Sequence, residues 1–276
     1  MTPARLKSYA KVNLGLKILN KRPDNFHNIE SIFIRIDLHD VFELIPSKEF
    51  SFICNNKNIS TKNNTVVSTC NILSEKYNMK KKFKIILHKY IPLESGLGGG
   101  SSNAATILSA LNKINNLKLS IKDMISIGKE IGSDVPFFIN GGTKFVTGVG
   151  DIIKNHPSPI IKQLTFLLIF PKFSISTKWA YKNIKNNLHN HLDSYKFPAL
   201  DEYVDWKLFD NDFEKVVGST YPEIFEIKEV LLNNGALYSG LSGSGSTMFG
   251  VYNNKQFILE AQNKLKHYNT LIVSPT

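Results

Sequence analysis

Between Gly96 and Ser102 the chain reads Gly-Leu-Gly-Gly-Gly-Ser-Ser, and these residue types suit the holding of phosphate. Glycine lets a backbone approach an oxyanion with no Cβ in the way. The two serine hydroxyls add donors, or reach a metal ion. Directly after the run, Ala104, Ile107, Leu108 and Leu111 recur at the spacing of one helix face. Ser101, Ser102 and Asn103 then fall where an N-cap belongs. Unpaired N–H groups at such a helix start, together with the helix dipole, favour an anion. Two commoner glycine fingerprints are excluded. No Gly-Lys-Ser/Thr follows, as a Walker A loop requires. The third glycine of a dinucleotide fingerprint would fall at 101, where serine stands. A tight turn with no ligand is the bland alternative, and the direct junction with an amphipathic helix speaks against it.

Two other segments carry groups that could react. In Ala10-Lys11-Val12-Asn13-Leu14-Gly15-Leu16 the alternation puts Lys11, Asn13 and Gly15 on one face of a strand. That face either meets a ligand or is simply solvated. In Gly132-Ser133-Asp134-Val135-Pro136-Phe137 an aspartate stands between a glycine and an apolar run. It is a candidate catalytic carboxylate, or else a cap or turn aspartate. A second glycine-serine loop, Ser242-Gly243-Ser244-Gly245-Ser246-Thr247, is either a support for the phosphate site or a flexible hairpin. His189 and His191 form an H-x-H with no third ligand nearby in sequence, and they read as surface residues.

These groups need elements to position them. Phe83, Ile85 and Leu87 alternate with Lys84, Ile86 and His88, which predicts a strand before the glycine loop. Leu164 to Phe170 reads as a buried strand. Residues 155–159 carry two prolines and mark a boundary. Beyond it, Pro222 to Leu232 predicts a helix stopped by Gly235. A strand from Ala236, the second loop, a strand from Met248, a helix near Phe257 to Leu265 and a strand near Thr270 to Val273 follow. This order predicts α+β layers.

Composition sets limits. The chain has 276 residues, 42% of them hydrophobic, which is enough for a full core and unlike a disordered chain. No apolar run is long enough for a bilayer span, and the opening residues Met1 to Arg5 lack the apolar core of a signal peptide. Cys54 and Cys70 have no CxxC spacing, so neither a zinc site nor a disulfide framework is expected. A cytoplasmic location and no membrane partner are expected. The net charge of +11 suits a phosphorylated ligand, yet its lysines are scattered, with one short cluster at Lys80-Lys81-Lys82. No basic run with interleaved aromatics marks a nucleic-acid partner.

The segments A-K-V-N-L, G-L-G-G-G-S-S-N-A-A, G-S-D-V-P-F and S-G-S-G-S-T occur in order over nearly the whole chain, and together they resemble the GHMP kinases. The double-serine loop with Lys21-Arg22-Pro23-Asp24-Asn25-Phe26-His27 is most similar to the branch acting on a cytidine-diphosphate-linked methylerythritol in the non-mevalonate isoprenoid route. The resemblance implies a two-domain α+β fold. An N-terminal ribosomal-S5-like ATP-binding domain would span 1–155, and a C-terminal ferredoxin-like α/β sandwich 156–276. It implies transfer of the γ-phosphoryl group of ATP, with Mg2+, to the 2-hydroxyl of that small molecule. Lys11 would hold charge near the reacting hydroxyl, and Asp134 would accept or orient its proton. The stretch from Pro92 through Gly96, Leu97, Gly98, Gly99, Gly100 and Ser101 to Ser102 would hold the triphosphate, with Ser102 a candidate for the metal. Asn13, Phe26, His27, Thr177 and Tyr181 would hold the substrate, and Gly243, Ser244 and Gly245 would support the site. Asn25 and Phe26 depart from the family's usual glycine and tyrosine. Phe26 keeps a stacking surface, and Asn25 tolerates positive φ. The alternatives are a GHMP kinase for another alcohol, such as homoserine or mevalonate, and a non-catalytic nucleotide or RNA binder on the same scaffold.

Overall fold

The computed structural model describes residues 3–80, 82–184, 197, 200 and 204–276. His189 and His191 lie outside the described residues. By its contacts the chain forms two compact units, each assembled from several stretches. The first comprises Met1–Ala10, Leu38–Pro92 and Gly98–Gly141, and the second Lys11–Asp37, Leu93–Leu97 and Gly142–Thr276. This is a different partition from the linear division at residue 155, because the opening strands and the glycine loop contribute residues to both units. Strands β1 (Ala4–Lys21) and β2 (His27–Pro46) pair with each other. In the turn joining them Asn25 takes φ 67°, the left-handed conformation expected of it.

The first unit continues with β3 (Ser51–Cys54), α1 (Thr65–Tyr77), β4 (Phe83–His88), α2 (Gly99–Ile114), α3 (Ile121–Ile131) and α4 (Val135–Asn140). Strand β4 pairs antiparallel with Val41–Pro46 of β2 and parallel with β3. The predicted alternation holds: Phe83, Ile85 and Leu87 are buried against Phe42, Leu44, Leu73 and Leu108. Each such apolar side chain contributes roughly 1.5–3 kcal/mol. The start of α2 differs from the sequence reading. Its N-cap is Gly98 at φ 69°, and Ser101 and Ser102 lie inside the first turns. The left-handed glycine lets the chain enter the helix earlier than a serine cap would.

The second unit holds β5 (Thr143–Thr147), β6 (Ile152–Asn155), β7 (Thr165–Phe170), α5 (Thr177–Asn183), α6 (Phe213–Thr220), α7 (Glu223–Asn233), β8 (Tyr238–Leu241), β9 (Met248–Tyr252), α8 (Lys255–Lys264) and β10 (Asn269–Val273). Strand β5 pairs with Ser31–Ile34 of β2, and β6 with β5. The later strands form an antiparallel sheet in the order β10-β7-β9-β8. With its helices this is the ferredoxin-like β-α-β-β-α-β pattern. Leu167 and Ile169 of β7 pack on Ile224, Ile227 and Leu231 of α7 and on Ile258 of α8. The helix predicted from Pro222 is α7, with Pro222 at its N-cap and Gly235 beyond it at φ 81°. Among the described residues no helix is long and apolar enough to cross a membrane.

Candidate active site

In the second unit, both faces of β1 are buried at its centre, so Lys11 and Asn13 do not line a solvated face. Lys11 is 3% exposed and Asn13 1%. A charge so buried is costly unless it is satisfied. The Lys11 ammonium donates to Gly96 O at 2.9 Å and to Asn13 Oδ1, and it lies 4.8 Å from the centre of the Phe33 ring. Asn13 in turn donates to Ser31 Oγ at 3.1 Å, and Ser31 donates to Gly15 O at 2.6 Å. Alternation puts this cation and Asn13 on one face of the strand, and the fold sets the ammonium against the Gly96 carbonyl of the glycine loop.

The second glycine-serine loop closes on the same cluster. Every residue from Ser242 to Thr247 is buried, which excludes a flexible hairpin. Ser242 Oγ donates to Gly96 O at 3.1 Å, and Thr247 N–H donates to Ser95 O at 3.2 Å. A Cβ at Gly243, where φ is +57°, would sit 3.3 Å from Asn13 Oδ1 and 3.5 Å from Lys11 Nζ. Ser244 Oγ lies 2.9 Å from Thr177 Oγ1, joining two residues the sequence had placed in separate roles. Asn211 holds the loop from behind, donating to Leu241 O and Gly243 O at 2.8 Å each. Sequence reading missed Asn211; its only signal there was a polar residue between Asp210 and Asp212.

Gly96 is required by its surroundings. Its φ is +76°, and an added Cβ would lie 1.9 Å from Ser242 O. Left-handed backbone costs a substituted residue about 1–2 kcal/mol, and here a backbone collision adds to that. Gly96→Ala is therefore expected to lower the thermal midpoint by several degrees, measured by circular dichroism. An unchanged midpoint would show that the two loops are not packed as described.

Further along the second unit, His27 stacks on Tyr181, ring centres 5.1 Å apart and 15° from parallel. Burial, with Lys21 nearby, pushes the imidazole below the usual histidine range, so the neutral ring is favoured. Phe26 stands beside it in the turn, 61% exposed. An exposed aromatic next to a stacked pair is a surface on which a base can lie.

In the first unit, Gly98 caps α2 with no side-chain hydrogen bond. The N–H groups of the first helical turn therefore face outward without a side-chain acceptor of their own at the cap. Gly100 is exposed and Ser101 half-buried, while Pro92 is exposed. Ser102 differs: it is 1% exposed, and its hydroxyl lies 2.8 Å from Ser8 Oγ. It faces the interior and anchors the helix start, so the expectation that it meets a phosphate or metal is not supported by its orientation. Asp134 occupies the N-cap position of α4, yet its side chain makes no capping bond, which sets aside the cap reading. Two residues before it, a Cβ at Gly132 would touch Ser101 Oγ at 3.6 Å. The turn bearing Asp134 thus lies against the glycine loop.

Among the described residues no three His, Cys, Asp or Glu side chains are grouped as a metal cage. Mg2+ bound with a nucleotide needs none, since one or two carboxylates with phosphate oxygens and water suffice.

A curated protein of Thermodesulfovibrio yellowstonii, named 4-diphosphocytidyl-2-C-methyl-D-erythritol kinase, is 43% identical over 95% of this chain and 93% of its own. Residues 64–142 match the family model described as the GHMP kinases N terminal domain, and residues 182–270 the GHMP kinases C terminal. The chain belongs to the GHMP kinases. A relative of the same name from Caldanaerobacter subterraneus is 38% identical, over 95% of this chain and 92% of that one. This GHMP kinase also shares its fold with a crystal structure of 4-(cytidine 5'-diphospho)-2C-methyl-D-erythritol kinase, with a TM-score of 0.83 at 24% identity and 99% coverage of both chains. A homoserine kinase from Cytophaga hutchinsonii matches at a TM-score of 0.69 and 17% identity, covering 98% of this chain and 95% of that one.

Proposed function

We propose that this GHMP kinase transfers the γ-phosphoryl group of ATP to the 2-hydroxyl of 4-diphosphocytidyl-2-C-methyl-D-erythritol, giving ADP and the 2-phosphate on the non-mevalonate route to isoprenoids. The observation that carries the reading is a buried ammonium, that of Lys11, bonded to the carbonyl of Gly96 in the glycine loop. Phosphoryl transfer needs mostly positioning and charge neutralisation. Lys11 supplies charge, held in register by Asn13. The N–H groups of Gly98, Gly99, Gly100 and Ser101 hold the phosphates, with Mg2+ arriving on the nucleotide. Asp134 accepts or orients the proton of the attacking hydroxyl. Phe26, His27 and Tyr181 offer the cytosine an aromatic wall, and Thr177, tied to Ser244, lies on the same unit. The names of the relatives at 43% and 38% identity support the choice of alcohol. In sequence terms, 1–155 serves as the ATP-binding part and 156–276 as the part closing on the substrate, and the enzyme works in the cytoplasm.

The test is ATP consumption on a panel of the cytidyl methylerythritol, homoserine and mevalonate. Turnover confined to the first is expected. Activity confined to homoserine or mevalonate overturns the substrate. No turnover with any, alongside salt-sensitive RNA binding, overturns the enzyme reading.

A further inference from the structure

A buried carboxylate that takes no part in the chemistry above lies within the first unit. Asp40, on β2, is 0% exposed. Its Oδ1 accepts the N–H groups of Tyr90 and Ile91 at 2.8 Å each. Its Oδ2 accepts Asn103 Nδ2 at 2.8 Å and the ammonium of Lys89. Residues 89–91 lead into the glycine loop, and Asn103 follows it inside α2. One side chain therefore grips the chain on both sides of the loop. The grip extends further: Asn103 Nδ2 also donates to Ser8 Oγ at 2.9 Å, and Ser8 meets the hydroxyl of Ser102. Lys89 reaches the helix start itself, since a Cβ on Gly99 would lie 2.7 Å from its Nζ.

A core built only for stability has little use for this arrangement. Replacing a buried ion pair by apolar residues is often neutral or stabilising. Burial pushes the Lys89 ammonium below the usual lysine range, with Asp40 opposing that. What the carboxylate offers, and an apolar side chain does not, is four directed bonds to groups flanking one loop.

We propose that Asp40 is a positioning residue for nucleotide binding, fixing the helix start after the glycine loop relative to the strand end before it. The inference rests on the reading of that loop as the triphosphate site. Displacing the loop's N–H groups by a fraction of an ångström weakens the donors aimed at phosphate, while leaving the groups proposed for the alcohol untouched.

Two variants cut the same link from opposite ends. In Asp40→Asn combined with Lys89→Met no buried cation is left unpaired. The new amide keeps an oxygen for Tyr90 and Ile91 but turns a donor toward the donor of Asn103. Asn103→Ala removes the other end and leaves the Asp40–Lys89 pair intact. Calorimetric titration of the full chain with MgATP, in the absence of any alcohol, is expected to show about tenfold weaker binding for both. The KM for the alcohol should stay within about twofold, and the Lys89→Met single variant should bind MgATP within about threefold of the unmodified chain. If Asn103→Ala binds MgATP as tightly as the unmodified chain, the proposal is overturned, whether or not the Asp40 variant folds. Weakening by Lys89→Met equal to that of the double variant also overturns it, because the effect then belongs to the lysine. A wrong choice of alcohol leaves this titration unaffected, whereas failure of the unmodified chain to bind MgATP overturns both readings.

Discussion

Replacing Asp134 with alanine is expected to cut kcat by about 10²–10⁴-fold, the span typical of losing a positioned acid–base group. Affinity for ATP should change by no more than about threefold, because the phosphate donors lie elsewhere. The structure makes this experiment readable. Asp134 stands at the N-cap of α4, where an ordinary cap residue would be worth about 1 kcal/mol. Its side chain makes no capping bond there, so loss of a cap does not confuse the result. If ATP binding vanished and turnover of bound substrate stayed normal, the catalytic assignment would be wrong. Asp134→Asn divides the two roles left open for this residue. An amide that keeps kcat within about tenfold assigns orientation of the hydroxyl, and one as inactive as alanine assigns proton acceptance.

Lys11→Met should be the other severe lesion, with a loss in kcat of about 10²–10³-fold, as when one preorganised electrostatic group is removed. Methionine fills the space and removes the charge. Arginine would not be conservative, since Gly243 closes the space beside Nζ: even a Cβ there would lie 3.5 Å away. Steady-state kinetics separate the outcomes. A fall in kcat and in kcat/KM together means that the ammonium acts in the transition state. A rise in KM alone would mean uniform binding, and the proposed role of Lys11 would fall.

How much of this could be read beforehand depended on how local each signal was. The alternation of Phe83, Ile85 and Leu87, and the helical spacing after the glycine loop, are short-range patterns; the strand formed where expected, and the helix formed with the same apolar face. The α2 boundary moved because a left-handed backbone at Gly98 does a job the sequence reading gave to a side chain. Lys11 and Asn13 were placed on one face by simple alternation. Their burial was invisible, because one covering element is a loop more than two hundred residues further on. The composition of the second glycine-serine loop suits either a support for the phosphate site or a flexible hairpin. In the fold its small residues are what close packing against Gly96 demands. Asp40 gave no signal at all. In a run reading Asp-Leu-His-Asp-Val it resembles a solvated acid, and its partners lie 49 to 63 residues away.

The Gly96 carbonyl accepts from both Lys11 Nζ and Ser242 Oγ. A peptide group is rigid and planar, so fixing that oxygen also fixes the direction of the Leu97 N–H on the opposite edge of the plane. The next plane is fixed as well, because the main-chain N–H of Lys11 donates to Leu97 O at 3.1 Å, which sets the Gly98 N–H. Two successive amides are thus aimed by a single lysine residue, one through its side chain and one through its backbone. Leu97 is itself 0% exposed, so its amide serves the loop's rigidity. Under the proposed function the Gly98 N–H would not have to rotate when a nucleotide arrives, and that ordering cost would be removed from binding. Lys11→Met therefore releases only the first plane, and only halfway, because the Ser242 hydroxyl still holds it.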